Sequence, residues 1–132
     1  MIGNKILLDT NIYSNFLRGN IEILDCIKNS SHIYISIFVI AELLSGFKGG
    51  SKEEQNIKIL NNFLNKKKVE IIDANHETSK LFTIIKNQLK QDGKPIPIND
   101  IWIAAHSMQT YSTLISNDKH FNYIKNIKVL NI

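Results

Sequence analysis

The apolar residues of this chain switch between two periods. Short runs rich in β-branched residues and leucine, at 5–8, 32–36, 69–72, 112–116 and 128–130, read as five strands. Helical stripes fill the intervals. One helix carries Phe16 and Leu17 and stops at Gly19, and a second carries Ile21, Leu24 and Ile27. Residues 37–44 are too long a run to continue the strand before them, so a buried helix ending near Gly46, Gly49 and Gly50 is expected. Ser51 and Glu54 have the spacing of a capping box for a helix with Ile57, Leu60 and Leu64 on its stripe. Leu81, Ile85 and Leu89 mark another helix that ends by Gly93. Pro95 and Pro97 hold their predecessors extended, and Asn99 is the expected N-cap of the helix that follows.

Strands separated by helices predict an α/β fold, a three-layer domain around a parallel sheet of about five strands. No repeat or linker divides the chain, so residues 1–132 are expected to form a single domain. With 132 residues, 43% hydrophobic and 21% charged, the chain can support one core, burying about two-thirds of its unfolded surface. The single cysteine, Cys26, excludes an internal disulfide and a cysteine-based zinc site. No apolar run reaches the ~20 residues of a membrane span, and the N-terminus turns acidic too soon for a secretory signal, so a cytoplasmic location is expected. The net charge of +4 leans toward polyanionic partners. It is carried almost wholly by lysine, with Arg18 the lone arginine, and does not by itself single out a nucleic acid.

In an open parallel sheet, ligands bind beyond the carboxyl ends of the strands, where the strand order reverses. Asp9 follows the first strand, Asp118 follows the fourth, Asp100 starts the helix after the proline loop, and Glu42 lies within the helix after the second strand. Each has a plainer reading. Asp9 and Asp118 suit a helix cap or turn, and Asp100 a favourable charge in a first helical turn. Glu42 is the only charged residue between His32 and Lys48, so it is either turned to the surface or a buried acid needing a partner. Two carboxylates ~5 Å apart repel by about 3 kcal/mol at an effective dielectric of 20, so a cluster of four requires protons or cations. All-oxygen ligation without histidine or cysteine suits Mg²⁺ or Mn²⁺, and hydrolysis of a phosphodiester by a metal-activated water is the reaction such a cluster fits.

These motifs resemble those of the PIN-domain family, and specifically the VapC-type toxin ribonucleases. Leu7-Leu8-Asp9-Thr10-Asn11 resembles the first acidic motif and Val39-Ile40-Ala41-Glu42-Leu43 the second. The third is matched from Pro95 through Asn99-Asp100-Ile101-Trp102 to His106, and the fourth by Leu114-Ile115-Ser116-Asn117-Asp118-Lys119-His120-Phe121. The resemblance implies that Asp9, Glu42, Asp100 and Asp118 are metal-binding and catalytic, with Thr10, Asn11, Ser116 and Asn117 as supporting polar groups. It also implies strand order 3-2-1-4-5, a Mg²⁺- or Mn²⁺-dependent endoribonuclease, a homodimer, and a small cognate antitoxin.

Among the other residues, Lys94 and Lys119 are candidate contacts to RNA phosphates, with Lys48 and Lys52 beside them. Lys66-Lys67-Lys68 reads as a solvated helix end. His106 and His120 read as structural or as aids to proton transfer. Trp102 reads as core, and Tyr13, Phe16 and Phe47 as core or dimer packing rather than base-stacking groups. Two competing functions are an enzyme using Asp9 as a phosphatase nucleophile and a non-catalytic RNA- or protein-binding module. The first wants a second acid where Asn11 stands.

Overall fold

The computed structural model describes residues 4–132. In chain order the elements are β1 (Lys5–Leu8), α1 (Thr10–Leu17), α2 (Ile21–Asn29), β2 (His32–Ser36), α3 (Ile37–Phe47), α4 (Glu53–Leu64), β3 (Val69–Ile72), α5 (His76–Gln91), α6 (Ile98–Thr110), β4 (Thr113–Ser116), a 3-10 turn (Lys119–Tyr123) and β5 (Lys128–Asn131). The strands form one parallel sheet in the order β3-β2-β1-β4-β5. This is the expected architecture. Successive residues of a strand point to opposite faces, and Ile6, Leu7 and Leu8 are all buried. The central strand is therefore covered on both sides, as a parallel sheet with helical crossovers must be.

The order reverses beside β1. The chain runs outward from β1 through β2 to β3, then returns to place β4 on the other flank of β1. Leu8 pairs with Ile115, and the Asp9 amide donates to the Ile115 carbonyl at 3.3 Å. Two segments more than a hundred residues apart in sequence therefore end side by side.

Local chemistry departs from expectation at three helix ends. Ser51 and Glu54 form no capping box, because α4 starts at Glu53 with Lys52 at the cap and no side-chain cap bond. Instead Glu53 reaches back and accepts from the Gly49 amide at 3.0 Å. Asn99 does not cap α6. The fixed φ of proline suits the entry, so Pro97 takes the cap position, and its carbonyl accepts from Asp100 and Ile101 at 3.1 and 3.3 Å. Lys68 is not a solvated end of its own helix. Its ammonium donates to the carbonyls of Ile27 and Ser30, closing the C-terminus of α2 instead. Lys68→Met is expected to lower stability by about 1–2 kcal/mol, read as a fall in the denaturant midpoint at unchanged slope.

The core reading of the aromatics holds in part. Tyr13 is buried and meets Phe63 edge-on at 5.4 Å, with the partly buried Phe16 on the same cluster. Trp102 is half-buried, between Phe38 at 5.2 Å and Phe82 at 4.1 Å. Among the described residues no helix is long and apolar enough to cross a membrane.

Candidate active site

Asp9 stands at the end of β1 and is buried. Its two carboxylate oxygens do different jobs. Oδ1 accepts from the Ile12 amide at 3.0 Å, so the side chain caps α1, as a plain reading of Asp-Thr-Asn expects. Oδ2 accepts from the hydroxyl of Ser116 at the end of β4. That hydroxyl is aimed by a second bond, since Ser116 Oγ accepts from the Asp118 amide at 2.9 Å. One buried serine thus couples the first acidic segment to the fourth. Capping and convergence are compatible because each carboxylate oxygen carries more than one lone pair.

Asp118 caps the 3-10 turn through Oδ1, which accepts from the His120 amide at 2.9 Å. His120 Nδ1 lies 3.1 Å from the same oxygen. Asp100 occupies the first turn of α6, half-buried. Ligand atoms of Asp100, Asp118 and His120 all lie within 4.8 Å of one another. Sequence reasoning left His120 outside the acidic set, although its two-residue offset from Asp118 in a tight turn is the signal that pairs them.

Glu42 is exposed on α3, not buried as its apolar neighbours in sequence suggested. A helix in contact with β2 and α4 still has an outer face, and Glu42 is on it. There its Oε1 accepts from the Thr10 hydroxyl at 2.7 Å, which ties α3 to the start of α1. Of the four supporting polar residues, Thr10 and Ser116 bond directly to acids, whereas Asn11 and Asn117 are exposed and make no side-chain hydrogen bond among the described residues. Lys94 lies 5.2 Å over the Tyr123 ring and Lys119 is exposed at the start of the 3-10 turn.

The acids act on one another's charge. Burial pushes the Asp100 pKa up to about 6, and the charges of Asp118, Glu42 and Asp9 add to the rise while His120 opposes it. Burial also raises Asp9. The bonds from Ser116 and Ile12 pull it back, and Asp118 and Glu42 push it up again. Among the described residues no lysine or arginine pairs with any of the four acids. The concentrated negative charge is therefore unmatched by fixed protein cations, which is the arrangement a mobile cation or proton completes.

Residues 6–127 match the PIN domain family. The chain belongs to that family. Within it, the chain is 35% identical over 129 residues to ribonuclease VapC2 of Rickettsia felis, covering 92% of each protein. It is 34% identical over 116 residues to ribonuclease VapC2 of Haemophilus influenzae strain Rd, covering 86% of each. The fold superposes with a TM-score of 0.85, at 30% identity, on the crystal structure of VapBC2 from Rickettsia felis bound to a DNA fragment from their promoter, covering 97% of this chain and 98% of that one. The sheet order of this PIN domain places the ends of β1 and β4 together, so Asp9, Ser116 and Asp118 meet at the switch point.

Proposed function

We propose that this PIN domain is a divalent-metal-dependent endoribonuclease, the toxin of a VapBC-type toxin–antitoxin pair acting in the cytoplasm. The observation that carries the reading is the grouping of Asp100 and Asp118 with His120, to which Ser116 ties Asp9, with no lysine or arginine paired to any of the acids among the described residues. Its likeness to ribonuclease VapC2 proteins supports the same reading. A phosphatase using Asp9 as nucleophile is disfavoured. Both oxygens of Asp9 are held by hydrogen bonds, and the residue two positions on is Asn11.

The donor set fits Mg²⁺ or Mn²⁺. Carboxylates are hard ligands, and the raised pKa values mark groups that favour a cation in place of a proton. Asp9, Asp100 and Asp118 would hold the ion, with Glu42 at the exposed rim. Bound there, the cation lowers the pKa of a coordinated water and neutralises phosphate charge. The chain's own residues set the stage for that chemistry. Ser116 fixes the Asp9 carboxylate, Thr10 fixes Glu42, and His120 orients Asp118. Lys94 and Lys119 offer phosphate contacts that hold RNA without reading its sequence.

On this reading Ser116→Ala leaves Asp9 Oδ2 without its donor and removes the link to Asp118. Mn²⁺ affinity is expected to fall about 10–100-fold, with the fold kept; titration of free Mn²⁺ by electron paramagnetic resonance measures it, and unchanged affinity would count against the role. The function itself is tested by incubating the protein with labelled RNA and Mg²⁺ or Mn²⁺. Cleavage that EDTA stops is expected; cleavage that persists in EDTA refutes metal dependence, and RNA bound but never cut favours the non-catalytic alternative. A homodimer and a small antitoxin partner are part of the proposal. A single mass for the dimer in size-exclusion chromatography, and inhibition by the co-expressed neighbouring small protein, are the expected results.

A further inference from the structure

Glu42 and Asp100 sit on different helices, and a buried polar pair lies among the contacts that join those helices. Ser36 caps α3, its Oγ accepting from the Phe38 amide at 3.1 Å. The same Oγ lies 2.8 Å from Nδ1 of His106, near the far end of α6. Both side chains are fully buried. His106 Nε2 lies 3.2 Å from the carbonyl oxygen of Asp73.

Hydrogen-bond bookkeeping fixes the protons. A carbonyl only accepts, so Nε2 carries the hydrogen and donates to Asp73. In the neutral ring Nδ1 is then an acceptor, and the Ser36 hydroxyl donates to it. The Phe38 amide donates to Ser36 Oγ in turn, so every polar atom in the chain of bonds is satisfied. Burial, which favours the neutral ring, points the same way.

The two helices approach in antiparallel register. Ser36 stands against His106, Phe38 stacks on Trp102 at 5.2 Å, and Glu42 acts on the charge of Asp100. From Ser36 to Glu42 and from His106 back to Asp100 is the same number of residues, about 9 Å along each helix. Stacked rings tolerate sliding, whereas a hydrogen bond of this geometry does not. A slip of one residue moves Asp100 by about 1.5 Å relative to Glu42, and misplacement by ~1 Å costs about a hundredfold in rate.

We propose that His106 is a positioning residue: through Ser36 it locks α6 against α3 in register and so sets where Asp100 stands relative to Glu42. The inference rests on the metal-nuclease reading above. A buried polar pair that fixes register has a parallel in the buried asparagines of coiled coils.

Two substitutions of His106 separate its bonds. In His106→Asn the side-chain Oδ1 falls near the place of Nδ1 and still accepts from Ser36. In His106→Gln the side-chain nitrogen falls near the place of Nε2 and keeps only the Asp73 bond. Ser107→Ala is the control, removing a buried bond from α6 to the Ser112 carbonyl (2.9 Å) that does not touch α3. The measurements are Mn²⁺ affinity, kcat and KM on an RNA oligonucleotide, and the thermal midpoint. His106→Gln, and Ser36→Ala with it, are expected to lower kcat and Mn²⁺ affinity by about tenfold or more with KM within about threefold. His106→Asn should stay within about threefold of wild type, and Ser107→Ala should lose thermal stability alone. Equal effects of Asn and Gln would overturn the proposal, as would kcat losses that simply follow the thermal midpoint, Ser107→Ala included. A wild-type protein that neither binds Mn²⁺ nor cuts RNA would refute the nuclease reading itself.

Discussion

Asp100→Asn is expected to abolish RNA cleavage and, in the same protein, to raise thermal stability. The two effects have one cause. Asp100 is half-buried among three other acids, and its pKa is pushed up to about 6, so ionising it in the folded protein is unfavourable. Asparagine keeps the shape and removes the charge. Without metal at pH 7 this relief is worth about 1–3 kcal/mol, an upward shift of a few degrees in thermal midpoint. The activity should fall by more than the ~10–100-fold that loss of a supporting residue costs, because a group proposed to hold the cation is gone. A helix-turn charge with no further role would give the opposite pair: retained cleavage and a small loss of stability of about 0.3–1 kcal/mol. Single-turnover cleavage and a thermal melt on one preparation distinguish the two.

Metal affinity is expected to fall about tenfold between pH 7 and pH 5. A carboxyl with a pKa of about 6 is mostly ionised at the first pH and about nine-tenths protonated at the second. The metal-free stability carries the matching sign. Asp100 binds protons better when folded than when unfolded, so its effect on stability is neutral or favourable below its unfolded pKa, near 4. That effect turns unfavourable as pH rises through 6. The stability gained by Asp100→Asn should therefore vanish near pH 4 and grow toward pH 7, and saturating Mn²⁺ should reverse it at pH 7. Melts of both proteins across this range, with and without Mn²⁺, provide the test. A difference independent of pH would show that Asp100 is not strained by its neighbours.

How much of this was legible in the sequence depends on the range of the interaction. The strands were clear because each is short and rich in β-branched residues or leucine, and 32–36 and 69–72 matched residue for residue. Helix ends were less so, since they turn on which of several adjacent polar groups wins. Ser51 lost to Lys52, and Asn99 lost to Pro97, whose fixed φ suits the entry. The acids at Asp9 and Asp118 were predictable from their positions after strands, but the serine that bonds both was only a family expectation. Its role depends on β1 and β4 pairing in one register. Glu42 stayed open between surface and core because an apolar stretch in sequence says nothing about which side of a helix one residue takes; the structure turns it outward. The Ser36–His106 bond spans 70 positions and has no local signature at all.

The central claim is that four distant acids form one cation site at the β1–β4 switch point. Mn²⁺ added in small amounts to ¹⁵N-labelled protein broadens the amide signals nearest the ion. Broadening centred on residues 9–10, 42, 100 and 116–120, and lost in Asp9→Asn, is the predicted result. Broadening spread over scattered surface acids, or centred instead on the exposed His32–Glu70 pair, would contradict it.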